Sequence, residues 1–191
     1  GVLRPGSVII GRRNGSGSET WGAALTAIRA AGAAFSYVAA DTRTIADQVT
    51  IGTWCDGEGD VMFVAQTGDS SWLDSGVPSG ATPKASLVWL YLPTSGQYAD
   101  AAYAGSLSAI NPNQRAIPGR LRVVGPTTSD ATLAQINAAD ANYCNLIRPL
   151  VTNRPQDGVG VWSGWTSTGD TVGLLTSRIW LVREIYRRTR N

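Results

Sequence analysis

The feature that most constrains this fold is a set of short apolar runs that are nearly continuous rather than alternating with polar residues. Four of them are SVII (Ser7–Ile10), FSYVAA (Phe35–Ala40), VMFVA (Val61–Ala65) and LVWLYL (Leu87–Leu92). A strand that is apolar on both sides must be covered on both sides of its sheet. The runs therefore predict a mostly parallel or mixed central sheet with helices on both faces.

Helical patterns fall between these runs. The first predicted helix has Trp21, Leu25 and Ile28 on one face, with Ser18 as its cap and Gly32 as its end. The second has Ile45, Val49 and Thr53 on one face and ends near Gly57. The third has a face made mainly of small residues: Tyr98, Ala102, Gly105 and Ala109. Strand and helix thus alternate along the chain, which is typical of an α/β domain.

The second half has weaker patterns. They predict a short strand at Leu121–Val124, a helix capped by Ser129 or Asp130 with Leu133, Ile136 and Tyr143 on one side, a strand at Asn145–Val151, a hairpin in GVGVWSGW, and a long helix from about Gly169 to Arg187. No repeat or linker divides the chain. We therefore expect one α/β domain over residues 1–191, with a small C-terminal hairpin and a long last helix.

The last helix presents two kinds of surface. Its predicted core stripe consists of Leu174, Leu175, Ile179, Leu181, Val182, Ile185 and Tyr186. Trp180 lies on another side, and the candidate subunit-interface residues there are Trp180, Arg183, Arg187, Arg188 and Arg190. Trp and Arg dominate the energetics of many protein interfaces, which favours a docking face. The alternative is a Trp packed under arginine stems on a solvated helix.

Composition argues against an enzyme. The sequence contains no His, the commonest general base and a common metal ligand. Its single lysine, Lys84, follows a proline and has no phosphate-binding glycine run before it. Only 16% of residues are charged, so neighbours can cover much of the surface at low desolvation cost. We predict no catalytic residues and no cofactor, and a subunit that works by assembling.

Three local patterns imitate binding sites. The loop GRRNGSG supplies G-x-G, but Thr20 stands where a dinucleotide-binding loop needs its third glycine. Asp56, Glu58 and Asp60 resemble the start of a calcium loop without its remaining ligands, so a solvated turn is expected. Cys55 and Cys144 have no neighbouring ligands for zinc and are predicted to be buried free thiols. No metal site is predicted.

Charge and hydropathy limit the partners. A net charge of +2 is too small for a nucleic-acid interface, and no apolar run is long enough to span a membrane. One alternative function remains from another class, a small-molecule or nucleotide-binding α/β domain. Its crevice would lie around Asp41, Thr67 and Asp69, where predicted strands end.

Several strings, in order, resemble phage contractile-tail sheath proteins. The opening SVIIGRRNGSGSETWGAALTAIRAAGAAFSYVAADTRT is similar to a family segment in which a strand and "GRR" lead to a Trp-containing helix, an aromatic strand and "DxR". VMFVAQTGDSSWLD resembles the strand and turn that follow. NAADANYCNLI and GVWSGWTSTGDTVGLLTSRIWLVREI resemble the later strand, Trp/Gly hairpin and "WL" helix. Similarity runs over nearly the whole chain, although family members are usually much longer.

The resemblance implies the central α/β portion of a tail sheath protein, or a fragment or trimmed relative of one. Such a subunit stacks in rings around a tail tube in the virion, after assembly in the bacterial host cytoplasm. Its partners would be other sheath subunits and the tube protein, with no direct nucleic-acid or membrane contact. Another tail or baseplate component on the same domain is a further alternative. Because no linking arm is recognisable, we expect the isolated chain to be monomeric or weakly associated.

Overall fold

A computed structural model describes residues 7–14, 18–74, 76–94, 96–110, 122–123, 130–149, 159–161 and 164–189, and it confirms the predicted α/β fold. Within these ranges the helices are α1 (Trp21–Ala30), α2 (Ile45–Glu58), α3 (Ser71–Asp74), α4 (Ala99–Ser108), α5 (Leu133–Ala141) and α6 (Val172–Thr189). The strands are β1 (Tyr37–Val38), β2 (Met62–Thr67), β3 (Leu87–Tyr91), β4 (Arg122–Val123), β5 (Cys144–Pro149) and β6 (Val159–Val161).

These strands form one mixed sheet in the order β1-β2-β3-β5-β6-β4. The first four are parallel, with Ala65 of β2 opposite Trp89 and Leu90 of β3 opposite Asn145. β6 runs antiparallel to both β5 and β4. The carboxyl ends of the four parallel strands therefore meet at one edge, where α/β domains commonly bind ligands.

Helices cover both faces of the sheet, as the continuous apolar runs predict. Phe63 and Trp89 point to a core shared with α1, α2, α3 and α5, in which the rings of Trp72 and Trp89 lie 4.9 Å apart. Val64 and Leu90 point to the opposite core, shared with α4 and α6. All six residues of β2 and all five of β3 are buried, so these two strands are the centre of the domain.

The prediction of a strand at Ser7–Ile10 is wrong. This segment has no strand pairing and lies on the surface, with Val8 73% and Ile10 93% exposed. At Gly11 the chain passes close to α1, so that an added Cβ would collide with the end of the Ile28 side chain. The neighbouring run Phe35–Ala40 is a strand only at Tyr37–Val38.

Several helices differ from their predicted faces or caps. α4 buries Tyr103, Ala104 and Leu107, whereas Tyr98 precedes the helix and is 52% exposed. α5 is capped by Thr132, which forms a capping box with Gln135, rather than by Ser129 or Asp130. Ser129 lies outside the described residues. The N-cap of α1 is Thr20 in place of Ser18.

The hairpin predicted within GVGVWSGW differs from the structure in its strand partners. β6 pairs with β5 and β4, and the turn after it is closed by a single bridge between Trp165 and Thr171. Trp162 and Ser163 within the predicted hairpin lie outside the described residues. The predicted strand at Leu121–Val124 is present as β4, and the strand predicted from Asn145 begins one residue earlier, at Cys144.

The predicted core stripe of the last helix is only partly right. Leu175 and Ile179 are buried, and Val172 joins them. Three other members of the predicted stripe, Leu174, Leu181 and Ile185, are 62%, 54% and 53% exposed. Consecutive helical residues are about 100° apart, so Leu174 and Leu175 cannot both face the sheet.

Gly169 provides a test of this packing. It adopts a φ of +86°, and an added Cβ would lie 2.6 Å from the ring of Tyr143. We expect Gly169→Ala to lower the free energy of unfolding by roughly 1–3 kcal/mol, through overpacking and backbone strain. Gly57→Ala is the matched control, because Gly57 is helical with nothing near its Cβ position. Denaturant unfolding should show the control to be neutral or stabilised; equal losses in both variants would contradict this packing.

Candidate functional site

The carboxyl edge of the parallel strands is filled by side chains of the chain itself. Gln48 of α2 is fully buried at this edge. Its Nε2 donates to the carbonyl oxygens of Thr42 at 3.2 Å and Gln66 at 2.8 Å, and its Oε1 accepts from Trp89 Nε1 at 2.9 Å. One amide therefore joins the loop after β1 to strands β2 and β3.

Gln66, at the end of β2, continues the same network. Its Nε2 donates to the carbonyl oxygen of Leu92 at 3.1 Å, and its Oε1 accepts from the backbone N–H of Ala99 at 2.8 Å. Ala99 is the first residue of α4. The free N–H groups at a helix start are where an anionic ligand commonly binds, and here a neutral amide of the same chain occupies one of them.

An ion pair closes the rest of this helix start. Asp100 is buried, and its Oδ2 lies 3.0 Å from Arg43 NH1 in the loop after β1. Asp100 Oδ1 accepts from the N–H of Ala101 at 2.9 Å, and the Arg43 guanidinium lies 5.6 Å from the ring centre of Tyr98. Burial raises the pKa of the Asp100 carboxyl, although Arg43 favours its charged form.

Of the residues of the predicted ligand crevice, Thr67 and Asp69 lie in this closed region, whereas Asp41 lines a cavity at the end of β1. Thr67 is buried, and its Oγ1 accepts from the N–H of Asp69 at 3.2 Å. Asp69 Oδ1 accepts from the N–H of Ser71 at 3.0 Å, and hydrogen bonds with the side chain and the backbone of Ser71 lower the pKa of the Asp69 carboxyl. Asp41 is exposed. Gly68 lies tightly against Pro93, so the loops after β2 and β3 touch each other.

The acidic residues at the end of α2 have partners within the chain, which corrects the expectation of a solvated turn. Asp56 accepts from the N–H groups of Ala85 and Ser86, at 3.2 and 2.7 Å. Glu58 and the buried Asp60 both form ion pairs with Arg29. Cys55 and Cys144 are buried free thiols, as predicted, and burial raises the pKa of both.

The predicted interface residues of α6 do not share one environment. Arg183 is half-buried, with its Nε 3.7 Å from Asp60 Oδ2 and its guanidinium donating to the carbonyl oxygen of Phe35. Trp180 is 41% exposed. The side chain of Arg188 is 75% exposed, and its Nε lies 2.9 Å from Glu184 Oε1 in an ion pair. The side chain of Arg187 and the whole of Arg190 lie outside the described residues.

The exposed residues of α6 include three aliphatic side chains that the sequence assigned to the core and two side chains, Trp180 and Arg188, that it assigned to an interface. We define the α6 outer face as the exposed side chains Leu174, Trp180, Leu181, Ile185 and Arg188. The three aliphatic members are spaced by seven and four residues, which places them along one side of a helix. Sequence reasoning found the apolar spacing but assigned it to the core.

Gln48 and Gln66, the two residues that close the strand edge, were not singled out from the sequence. One feature pointed to Gln48: it is the polar member of a helical spacing with the buried residues Ile51 and Cys55. Gln66 follows directly on an apolar run. Nothing in either pattern identifies hydrogen-bond partners that come from other segments.

Comparison with known proteins gives no matching family model and no matching curated protein. Across the described ranges, no helix combines the length and apolarity that crossing a bilayer requires. The same ranges hold no cluster of three or more Cys, Asp or Glu side chains that could bind a metal ion.

The closed strand edge predicts a large effect of one substitution. Gln48→Leu removes three hydrogen bonds and deprives the Trp89 indole N–H and the Gln66 carbonyl of the partner that Gln48 supplies, whereas the Thr42 carbonyl keeps Arg43. We expect the free energy of unfolding to fall by roughly 2–4 kcal/mol. Thr50→Ala in the same helix alters an exposed residue and should change it by less than about 0.5 kcal/mol. Denaturant titrations in which Gln48→Leu and Thr50→Ala both change the free energy of unfolding by similarly small amounts would contradict the described network.

Asp100 predicts a dependence of stability on pH. Its carboxyl has a raised pKa in the folded state, so the folded state binds this proton more tightly than the unfolded state does. Its contribution to stability is therefore greatest at low pH and is lost as the pH rises from the ordinary carboxyl pKa through the raised one. Asp100→Asn removes this titration.

Unfolding free energies of wild type and Asp100→Asn, measured at about pH 4 and about pH 7, test this dependence. The stability of wild type minus that of the variant should be smaller at the higher pH. A difference that grows with pH would mean that the Arg43 contact outweighs burial.

Proposed function

We propose that this chain is a structural subunit of a phage contractile tail sheath, which assembles around the tail tube. The proposal joins the sequence resemblance to one feature of the surface, the α6 outer face. Its three aliphatic side chains are each more than half exposed, and Trp180, the residue before Leu181, is 41% exposed. Clustered exposed apolar residues on a soluble protein commonly mark an interaction site, and this pattern favours a protein that works by assembling.

The partners in this proposal are other sheath subunits and the tail tube protein, in the virion tail. Contraction then requires two sets of subunit contacts with different free energies, and no chemical step. The two-sided core of β2 and β3 supports this role, because a rigid domain can move as a unit while its contacts change. Assembly would take place in the bacterial host cytoplasm.

The alternative of a nucleotide- or small-molecule-binding domain at the strand edge loses support from the side chains found there. Gln66 occupies an N–H at the start of α4, and the Arg43–Asp100 pair lies directly beside it. A phosphate at this place would have to displace a buried carboxylate or approach it, and like charges at short distance repel. Melting temperatures measured with a series of nucleotides test this alternative. A rise in the melting temperature at millimolar nucleotide would support it.

Electron micrographs of the full-length protein test the proposal most simply. A sheath subunit should give hollow, striated tubes, alone or with the tube protein. Another tail or baseplate component on the same domain would give rings or discs instead. Particles of only monomer size under all conditions would contradict the assembly role.

Substitutions on α6 separate docking from folding. Trp180→Ala and Leu181→Ser change exposed side chains, so the melting temperature should stay nearly unchanged while tube formation by the full-length protein falls. Ile179→Ala is the contrasting variant, because Ile179 is buried, and it should lose roughly 2–4 kcal/mol of stability. Tubes that form normally from both outer-face variants would show that this face is not a docking surface.

A further inference from the structure

A cavity of about 480 Å³ lies between α1, the end of β1 and the N-terminal segment. It lies beside the strand-edge network, because its lining includes Asp41, the residue before Thr42, and it is apart from the α6 outer face. Its apolar lining comes mainly from Leu25, Ile28, Val38 and Ile51, and the segment from Ile9 to Arg13 forms one wall. Its volume is within the range of small-molecule sites, roughly 300–1,000 Å³.

The polar groups of this lining are mainly cationic. Arg12 and Arg13 both line the cavity, against a single carboxylate from Asp41. The Arg13 guanidinium lies 4.5 Å from the centre of the Trp21 ring, which holds it beside an aromatic surface. Two guanidinium groups and one carboxylate leave an excess of positive charge, so the lining favours an anion over a cation.

Trp21 supplies an aromatic surface in the same lining. The cavity thus combines an apolar interior, the Trp21 ring and two arginines.

We propose that this cavity is a binding site for a small aromatic anion, such as a fused-ring carboxylate. The ring would lie against the apolar lining, and the carboxylate would lie within reach of Arg12 or Arg13. A planar ring suits the indole and aliphatic surfaces, because it buries a large apolar area with little loss of conformational freedom. This proposal goes beyond the assembly role and does not depend on it.

The test uses 1-naphthoate as the probe and isoleucine δ1-methyl NMR as the readout. Ile9, Ile28 and Ile51 line the cavity, and their methyl resonances should shift saturably with one common dissociation constant. Ile185, exposed on α6, is the internal control and should not move. Neutral 1-naphthamide has the same rings without the charge, so it should bind more weakly.

Two variants locate the site. Arg12→Gln alters an exposed side chain and should weaken 1-naphthoate binding about two- to fivefold, the effect of losing one solvent-exposed charge contact. Ala39→Phe places a ring at the exposed margin of the cavity and should abolish the methyl shifts. Arg188→Gln changes an exposed arginine elsewhere and should leave the binding unchanged.

Three outcomes would overturn the proposal. One is the lack of any methyl shift at millimolar 1-naphthoate. Another is a set of shifts centred on Ile185, which would place the ring on the α6 outer face. The third is equal binding by wild type and Ala39→Phe, with the fold of the variant verified by the unchanged resonance of the buried Ile179.

Discussion

Gln48 makes the contacts on which the arrangement of the parallel strands depends. Its amide bonds to the loop after β1, to the end of β2 and to the indole of β3, so three consecutive segments are fixed relative to one another. A buried amide that lost these partners would cost several kcal/mol, and this penalty opposes any other register of the three segments. Gln66 extends the same constraint to α4.

This network also determines what the strand edge can do. In many α/β domains the same edge is an open crevice in which a ligand completes the hydrogen bonds of the loops. Here Gln48, Gln66 and the Arg43–Asp100 pair complete those bonds within the chain. The edge between β1, β2 and β3 is therefore closed by side chains of the domain itself. Apolar surface remains exposed elsewhere, on α6 and at Val8–Ile10.

The sequence predicted the centre of the fold better than its margins. β2 and β3 were predictable because two-sided burial leaves a continuous apolar run, and such a run is specific for a covered strand. The same reasoning failed at Ser7–Ile10, because an apolar run indicates a preference for burial but does not identify the segment that buries it. The seven-residue stripe on α6 failed for a related reason: spacing alone could not decide which of Leu174 and Leu175 faces the sheet. The contacts of Gln48 could not be predicted, since two of its three partners, Gln66 and Trp89, are 18 and 41 residues away in the sequence.

The proposed sheath role requires the α6 outer face to be covered by another subunit or by the tube in the assembled particle. Cysteine alkylation measures this directly, because both native cysteines are buried and a Leu181→Cys variant adds an accessible thiol. The account predicts that Cys introduced at this position reacts quickly in the unassembled protein and many times more slowly in assembled tubes. Equal rates in the two states would contradict it.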